Sequence, residues 1–368
     1  MVGTRRTMMI ANQIFLADSI QWMLKDAPEK FADVIFADPP YNLQLKKDLW
    51  RPNMTQVDAV TDAWDQFDSF AEYDEFTREW LTAARRVMKD DATIWVSGTY
   101  HNIFRVGRIM QDLGFWLLNT VTWFKRNAMP NFRGTRLKND VEFVIWAKKS
   151  ESSRYTFNHH LMKQFNDGKQ LGSVWDIPAC GGAERLKDAN GRKLHSTQKP
   201  EELLKRVILA SSNPGDVVFD PFLGTGTTAA VAKYLNRGWC GVEKERIYFD
   251  AAQARIDAVQ PLPMDHPLMQ PAAPSRPPRV PFQKLLAAGY LQPGQVLYSK
   301  DEKHKAVIQK DGKLRANGYV GSIHQVGAQL KNTPSCNGWT HWYYEDQDTG
   351  DRQPIDQLRH RFRDTHHV

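Results

Sequence analysis

The chain has 368 residues, of which 41% are hydrophobic, 25% charged and 11% aromatic, a balance that excludes collagenous, low-complexity and wholly disordered classes. At about 100 to 200 residues per domain there is room for two domains, and a core of that size needs neither disulfide nor metal staple. The net charge is +7, and between Lys125 and Lys199 there are 15 Lys or Arg against 7 Asp or Glu, a local +8 that leaves −1 for the rest. Such a local surplus suits a polyanion, because each neutralised phosphate releases counterions; it suits a solvated basic face equally well.

Cys180, Cys240 and Cys336 lie 60 and 96 residues apart. That spacing favours neither a zinc site nor a disulfide framework, and points to a reducing cytoplasm. No apolar run approaches the roughly 20 residues of a membrane span, so no membrane partner is expected. Arg5 and Arg6 followed by Met8, Met9 and Ile10 faintly resemble a secretory leader, yet Asn12 and Gln13 break the run early. The segment is expected to be a first strand.

Further along, short apolar runs at residues 33–37, 93–97, 121–124, 143–147, 217–219 and 239–242 predict buried strands. Amphipathic stretches alternate with them. Residues 73–88 place Phe76, Trp80, Ala83 or Ala84, and Val87 on one helical face, and residues 201–210 form a helix opened by Pro200. The class is therefore α/β, with a sheet covered on both faces and functional loops at the strand C-termini. Residues 261–281 hold 8 of the 20 prolines in 21 residues, which predicts a stiff linker. It divides a catalytic-sized part, residues 1–260, from a module of residues 282–368. That module, rich in Gly, aromatics and short β-like runs at 296–298, 306–309 and 339–344, is expected to be a small β or α+β domain. Arg359 to Arg363 at its end suit either a phosphate contact or a solvated helix end.

Directly after the strand at 33–37 comes Asp38-Pro39-Pro40-Tyr41. Two prolines fix the backbone just past the strand end and remove N–H groups, which holds an aspartate and a tyrosine in set relation. Amino-group alkylation calls for such a site. An exocyclic base nitrogen is a poor nucleophile because its lone pair is delocalised into the ring. If the Asp38 carboxylate and the Pro39 carbonyl each accept one N–H, the nitrogen can pyramidalise towards an electrophile while Tyr41 stacks on the base. Stacking of this kind contributes about 1 to 3 kcal/mol, comparable to the cost of extracting a base from a duplex. The plainer alternative is a strand that ends in a proline turn, with Tyr41 in the core.

A second motif runs from the turn Asn213-Pro214-Gly215-Asp216 through the strand at 217–219 into Asp220-Pro221-Phe222-Leu223-Gly224-Thr225-Gly226-Thr227-Thr228. Glycines at such a strand-to-helix turn let the backbone approach a cofactor closely. Glu243 ends the next strand 23 residues after Asp220, near the offset at which an acid accepts the ribose hydroxyls of a nucleoside cofactor. A third glycine in dinucleotide spacing is missing, as is the Gly-Lys-Ser/Thr of a phosphate loop. S-adenosylmethionine, a nucleoside without phosphates, therefore fits better than a nicotinamide cofactor or ATP. In His195-Ser196-Thr197-Gln198-Lys199-Pro200, polar side chains and Lys199 at a helix start can hold a carboxylate such as the methionine end of that cofactor.

Asp-Pro-Pro-Tyr, a basic middle, Gln-Lys-Pro and Asp-Pro-Phe-x-Gly-x-Gly-Thr-Thr, in this order, resemble the β-group amino-methyltransferases of DNA. Residues 36–45, 64–70, 100–106 and 129–134, with Gly321-Ser322-Ile323-His324 and Cys336-Asn337-Gly338-Trp339, are similar to the cell-cycle-regulated (CcrM-type) adenine methyltransferases over nearly the whole chain. The resemblance implies a Rossmann-like S-adenosylmethionine-dependent sheet and a target-recognition region at about 125–199. It also implies N6-adenine methylation of double-stranded DNA, in GANTC, by a nucleoid-associated enzyme with a cell-cycle role. Carried over by position, Asp38, Pro39, Pro40 and Tyr41 match the catalytic motif. Asp220, Phe222, Gly224, Gly226 and Thr227 match the cofactor loop, Glu243 the ribose acid, and Asp18 the acid beside the cofactor's adenine. Ser196, Lys46-Lys47, Val141-Glu142 and residues 171–176 depart from the family pattern at places expected to lie away from the chemistry.

Trp50 and Trp64, in a polar insert at 44–70, suit a loop that closes over DNA or a packed surface loop. Arg133 and Arg136 suit guanine edges, phosphate or mere solubility. Three rival functions stand beside the adenine reading. Cys180 lacks the Pro-Cys context of a carbon-5 cytosine methyltransferase, which argues against that one. N4-cytosine transfer is nearer, although the related enzymes often carry Ser in place of Asp38. A DNA-binding regulator without turnover is opposed by the intact motifs at 38–41 and 224–226. The module at 282–368 is expected to bind DNA, to mediate a homodimer, or both.

Overall fold

The computed structural model describes residues 10–43, 65–131, 134–269, 279–346 and 350–366. Two compact units are formed, Met1–Ala273 and Pro274–Val368.

In the first unit, strand β2 (Ala32–Ala37) turns Ile35 and Ala37 into one buried apolar cluster and Val34 and Phe36 into another. Its period-two alternation thus feeds both faces of one sheet, as a central strand must. In chain order the unit runs β1 (Gln13–Leu16), α1 (Ser19–Lys25), β2, α2 (Phe70–Val87), β3 (Met88–Gly98), α3 (Ile103–Asp112), β4 (Trp116–Phe124), β5 (Val141–Lys148), β6 (Val174–Asp176), α4 (Glu201–Ser211), β7 (Val217–Asp220), α5 (Thr227–Tyr234), β8 (Gly238–Glu243) and α6 (Arg246–Ala258). Strand order is β1-β8-β7-β2-β3-β5-β4-β6. Neighbours from β1 to β3 pair in parallel, whereas β5 runs antiparallel to both β3 and β4.

Helix α2 begins where the Ser69 side chain caps the Glu72 N–H, and buries Tyr73, Thr77, Trp80, Ala84 and Val87 at three- and four-residue spacing. It starts one turn before the expected residue 73, because that cap and the apolar Phe70 extend it. The first strand begins at Gln13: Ala11 and Asn12 precede it in a turn, and Met8 and Met9 lie outside the described residues. Residues 261–269 are not a free linker. The Leu262 N–H donates to the Tyr234 carbonyl at 2.8 Å, Asn236 donates to the Leu262 carbonyl at 2.6 Å, and Met269 is buried in the first unit's core.

In the second unit, a six-stranded antiparallel sheet packs with helices around Leu297, Ile308, Leu314, Val326 and Trp342, which makes it α+β. Ser322 and Gln325 form a reciprocal capping box on the helix Ile323–Lys331. A Cβ on Gly338 would stand 2.5 Å from the Ile323 carbonyl oxygen, and the Gly338 N–H donates to His324 Nδ1 at 3.0 Å. The Gly-Ser-Ile-His and Cys-Asn-Gly-Trp segments thus pack on one another. Arg359 stacks over Trp339 at 4.2 Å and pairs with Asp356, so it is not a loose phosphate-seeking end. No helix among the described residues is long and apolar enough to cross a membrane.

Candidate active site

Because β1, β8, β7, β2 and β3 are parallel, their C-terminal ends share one edge of the sheet, and a cavity of about 400 Å³ opens there. Asp18 follows β1, residues 38–41 follow β2, Asp220 and Phe222 follow β7, and Glu243 ends β8; all line this cavity, with Lys199, Gly224 and Thr227. The topology therefore gathers residues as far apart in sequence as Asp18 and Glu243, 225 positions.

On one side the donor set suits a nucleoside. The Glu243 carboxylate is fixed by the Gly224 N–H at 2.7 Å and the Glu245 N–H at 2.8 Å. Burial raises its pKa, and those backbone donors offset the effect only in part. Asp18 caps α1 through the Gln21 N–H at 3.1 Å, and the Ala17 N–H donates to the Glu243 carbonyl at 3.0 Å, which sets the two acids side by side. Phe222 meets Trp80 edge-on at 5.5 Å. Gly224 has φ +54°, and a Cβ there would stand 3.5 Å from His195 Nε2.

Gly226 has a different duty from the expected one. It does not line the cavity; with φ +80°, a Cβ there would stand 2.9 Å from Ala252 Cβ, so it lets α5 pack on α6. The Thr227 hydroxyl accepts from Arg255 at 2.8 Å. Asp220 is buried, and accepts from the Thr228 hydroxyl at 2.6 Å and the Phe222 N–H at 2.9 Å. Burial pushes its carboxyl up to about 7, with Asp38 and Glu243 adding repulsion.

On the other side, Asp38 Oδ1 accepts the Tyr41 hydroxyl at 2.6 Å, and Oδ2 accepts Lys199 Nζ at 2.5 Å. Lys199 is thus committed to Asp38, with its ammonium 5.2 Å from the Tyr41 ring centroid, in place of the expected carboxylate-holding role. The Tyr41 hydroxyl also meets Ser97 Oγ at 2.9 Å. Burial, then Asp38 and Glu142, raise the hydroxyl's pKa well above the ordinary tyrosine value, so it stays a donor. The Pro40 carbonyl accepts from Tyr73 at 2.9 Å, and Pro39 and Pro40 both line the cavity.

Two acids absent from the expected set complete this side. Asp65, 3% exposed, accepts the N–H groups of Tyr41, Asn42 and Leu43 at 2.5, 2.8 and 3.0 Å, and so clamps the turn. Glu142 lies 3.4 Å from the Tyr41 hydroxyl and 2.7 Å from Lys125 Nζ, which corrects the expectation that residues 141–142 lie away from the chemistry. Burial alone would raise its pKa, but Lys199 and Lys125 outweigh this and hold it below the ordinary value. A Glu directly followed by an apolar strand was the available signal.

Trp50, Trp64 and Arg133 lie outside the described residues. Arg136 donates to the Tyr100 hydroxyl at 2.8 Å and does not line the cavity. Cys180 is likewise away from it, with a thiol pushed by burial up to about 11, ill suited to a nucleophilic thiolate.

A family model described as DNA methylase matches residues 32–254, and one described as Restriction Enzyme Adenine Methylase Associated matches residues 266–367. The chain is 45% identical over 332 residues to the Type II methyltransferase M.HinfI of Haemophilus influenzae, spanning 90% of this chain and 92% of that protein. It is 41% identical over 242 residues to the Type II methyltransferase M2.LlaDCHI of Lactococcus lactis subsp. cremoris, spanning 66% and 87%. Among solved structures, the PvuII DNA methyltransferase (cytosine-N4-specific) shares the fold at a TM-score of 0.51 and 21% identity, over 66% of this chain and 85% of that one.

Proposed function

The chain belongs to the N6/N4 DNA methylase family, and we propose that it transfers a methyl group from S-adenosylmethionine to N6 of an adenine extruded from double-stranded DNA, within GANTC. The observation that carries this reading is that Asp38 and Pro39 line the same cavity as the tethered acid Glu243. Two acceptors suit an exocyclic amine, and N4-cytosine enzymes of this resemblance often have serine in place of Asp38. The adenine-methylase-associated match at residues 266–367 supports adenine as well. The sequence GANTC rests on the resemblance to the CcrM-type enzymes.

The cavity suits the cofactor: a carboxylate, an aromatic shelf and a glycine turn face it, while Lys199 is paired with Asp38. When bound, S-adenosylmethionine supplies an electrophilic methyl group. Glu243 would hold the ribose hydroxyls, Asp18 would stand beside the adenine, and Phe222 with Gly224 would shape the slot. Asp38 and Pro39 would each accept one N–H of the target amine, turning its lone pair towards the methyl carbon, while Tyr41 stacks on the base. Positioning two reactants in this way supplies much of the rate, and no covalent enzyme intermediate is needed.

The test is expression in a host lacking N6-methyladenine, with modified bases mapped by single-molecule sequencing, beside the Asp38→Ala variant. N6-methyladenine in GANTC that is absent with the variant is expected. Modified cytosine would move the assignment to N4-cytosine transfer, and no modification despite cofactor and DNA binding would favour a regulator without turnover.

A further inference from the structure

Glu142 stands beside Asp38 and Tyr41, and the proposed mechanism gives it no role. Strand β5 is antiparallel to its neighbours, so its first residues, not its last, reach the edge where the cavity opens. There Glu142, its side chain 14% exposed, pairs with Lys125, 12% exposed. Its Oε2 lies 3.4 Å from the Tyr41 hydroxyl and 3.9 Å from Lys199 Nζ. Tyr41 and Lys199 are also the two groups that grip Asp38, one on each carboxylate oxygen. Two carboxylates and two ammoniums thus form one charge-balanced cluster, with the Ser97 hydroxyl 2.9 Å from that of Tyr41.

Fold stability does not explain this cluster. Removing two charges from water costs several kcal/mol per ion, and apolar residues of similar volume often serve a core as well or better. The residues that follow Glu142 in β5, Phe143 to Ala147, are apolar, which shows that the strand itself asks for no carboxylate. What the charge does is local. Without it, Lys125, 12% exposed, loses its ion pair, and Lys199 loses the second carboxylate near its ammonium.

We propose that Glu142 is a positioning residue for methyl transfer, which through Lys199 and the Tyr41 hydroxyl sets the direction in which Asp38 offers its remaining lone pairs to the target amine. This rests on the methyl-transfer reading above. The charged groups that face Asp38 are Lys199, Glu142, Asp65 and Asp220, with Lys125 behind Glu142. Charges this close in one cluster bias one another's ionisation. Removing a negative charge from it makes the remaining carboxylates easier to ionise, and removing a positive charge makes them harder.

The experiment is a single-turnover methylation assay on the full chain with saturating S-adenosylmethionine and a GANTC duplex, from pH 5.5 to 8.5, with wild type, Glu142→Gln, Glu142→Asp and Lys125→Met. For Glu142→Gln the expected result is a rate roughly ten- to hundredfold lower, with cofactor and duplex affinities within about twofold of wild type. The acidic limb of its rate profile should move to lower pH, that of Lys125→Met to higher pH, and Glu142→Asp should recover part of the rate. A wild type that does not methylate DNA would sink the methyl-transfer reading and this proposal with it. An active wild type whose variants keep its rate and limb would overturn the role of Glu142 alone. So would a loss of rate that only tracks the fraction folded, with no movement of the limb.

Discussion

Tyr41 donates its hydroxyl to Asp38 across 2.6 Å, three residues away over a turn frozen by two prolines. The tyrosine therefore has two separable parts, a hydroxyl that orients the carboxylate and a ring that faces the cavity. Tyr41→Phe keeps the ring and should lower the single-turnover rate by roughly tenfold through a less directed Asp38. Tyr41→Ala also removes the stacking surface, about 1 to 3 kcal/mol, and should weaken binding of the duplex with its flipped base by a further roughly 5- to 100-fold. Equal duplex affinities for the two variants would show that the ring does not stack on the base.

Asp65 holds three successive backbone N–H groups of the same turn. Hydrogen bonds to a charged acceptor contribute about 1.5 to 3 kcal/mol each, and a buried donor left unpaired is costly. Asp65→Ala is expected to lower unfolding free energy by about 3 kcal/mol in urea titrations and to abolish methylation, while Asp65→Asn, which keeps one acceptor oxygen, should fall between. An alanine variant with wild-type stability would mean that the turn is held by other contacts.

These clamps mark where a linear reading of the chain stops. The strand C-termini and their motifs were legible because each is local: a strand, a proline or glycine turn and an acid in one short run. Glu142 was not, because only the reversed direction of β5 brings its start to the site. Lys199 reaches Asp38 across 161 positions and Asp65 reaches Tyr41 across 24, separations that carry no periodicity. The short edge strands β1 and β6, four and three residues long, were missed or misplaced because such runs hold too little alternation to detect. The glycine pair was legible as a pair, but not its division of labour, since the Cβ clash at Gly226 comes from a helix that follows β8.

Asp220 ties stability to pH. Its carboxyl rises from an ordinary 3.8 to about 7, mainly by burial. Between about pH 4 and 7 the folded protein keeps a proton that the unfolded chain releases. The stabilisation from this group is therefore complete below about pH 4 and is lost as pH rises through about 7, a change on the order of a few kcal/mol. Asp220→Asn carries no charge at any pH. Its urea midpoint relative to the parent should rise between pH 5 and pH 8 in the cofactor-free protein; a gap that stays constant with pH would mean that Asp220 titrates normally.

Gly224 and Gly226 separate cofactor fit from folding. Both have positive φ, +54° and +80°, so alanine strains either by about 1 kcal/mol or more. At Gly226 the added Cβ also meets Ala252 Cβ at 2.9 Å and Ala252 Cα at 3.0 Å, where two helices pack and neither can yield cheaply. At Gly224 the nearest atom is His195 Nε2 at 3.5 Å, ordinary contact on the cavity side. Gly226→Ala should thus lower the unfolding free energy by about 2 to 4 kcal/mol, with cofactor affinity changed little in the fraction that stays folded. Gly224→Ala should lose about 1 kcal/mol of stability but roughly tenfold or more in S-adenosylmethionine affinity, because its methyl group occupies the slot. Urea titration and calorimetric cofactor titration on both variants separate the two effects; a Gly224→Ala protein that binds the cofactor as wild type does would place the nucleoside elsewhere in the cavity.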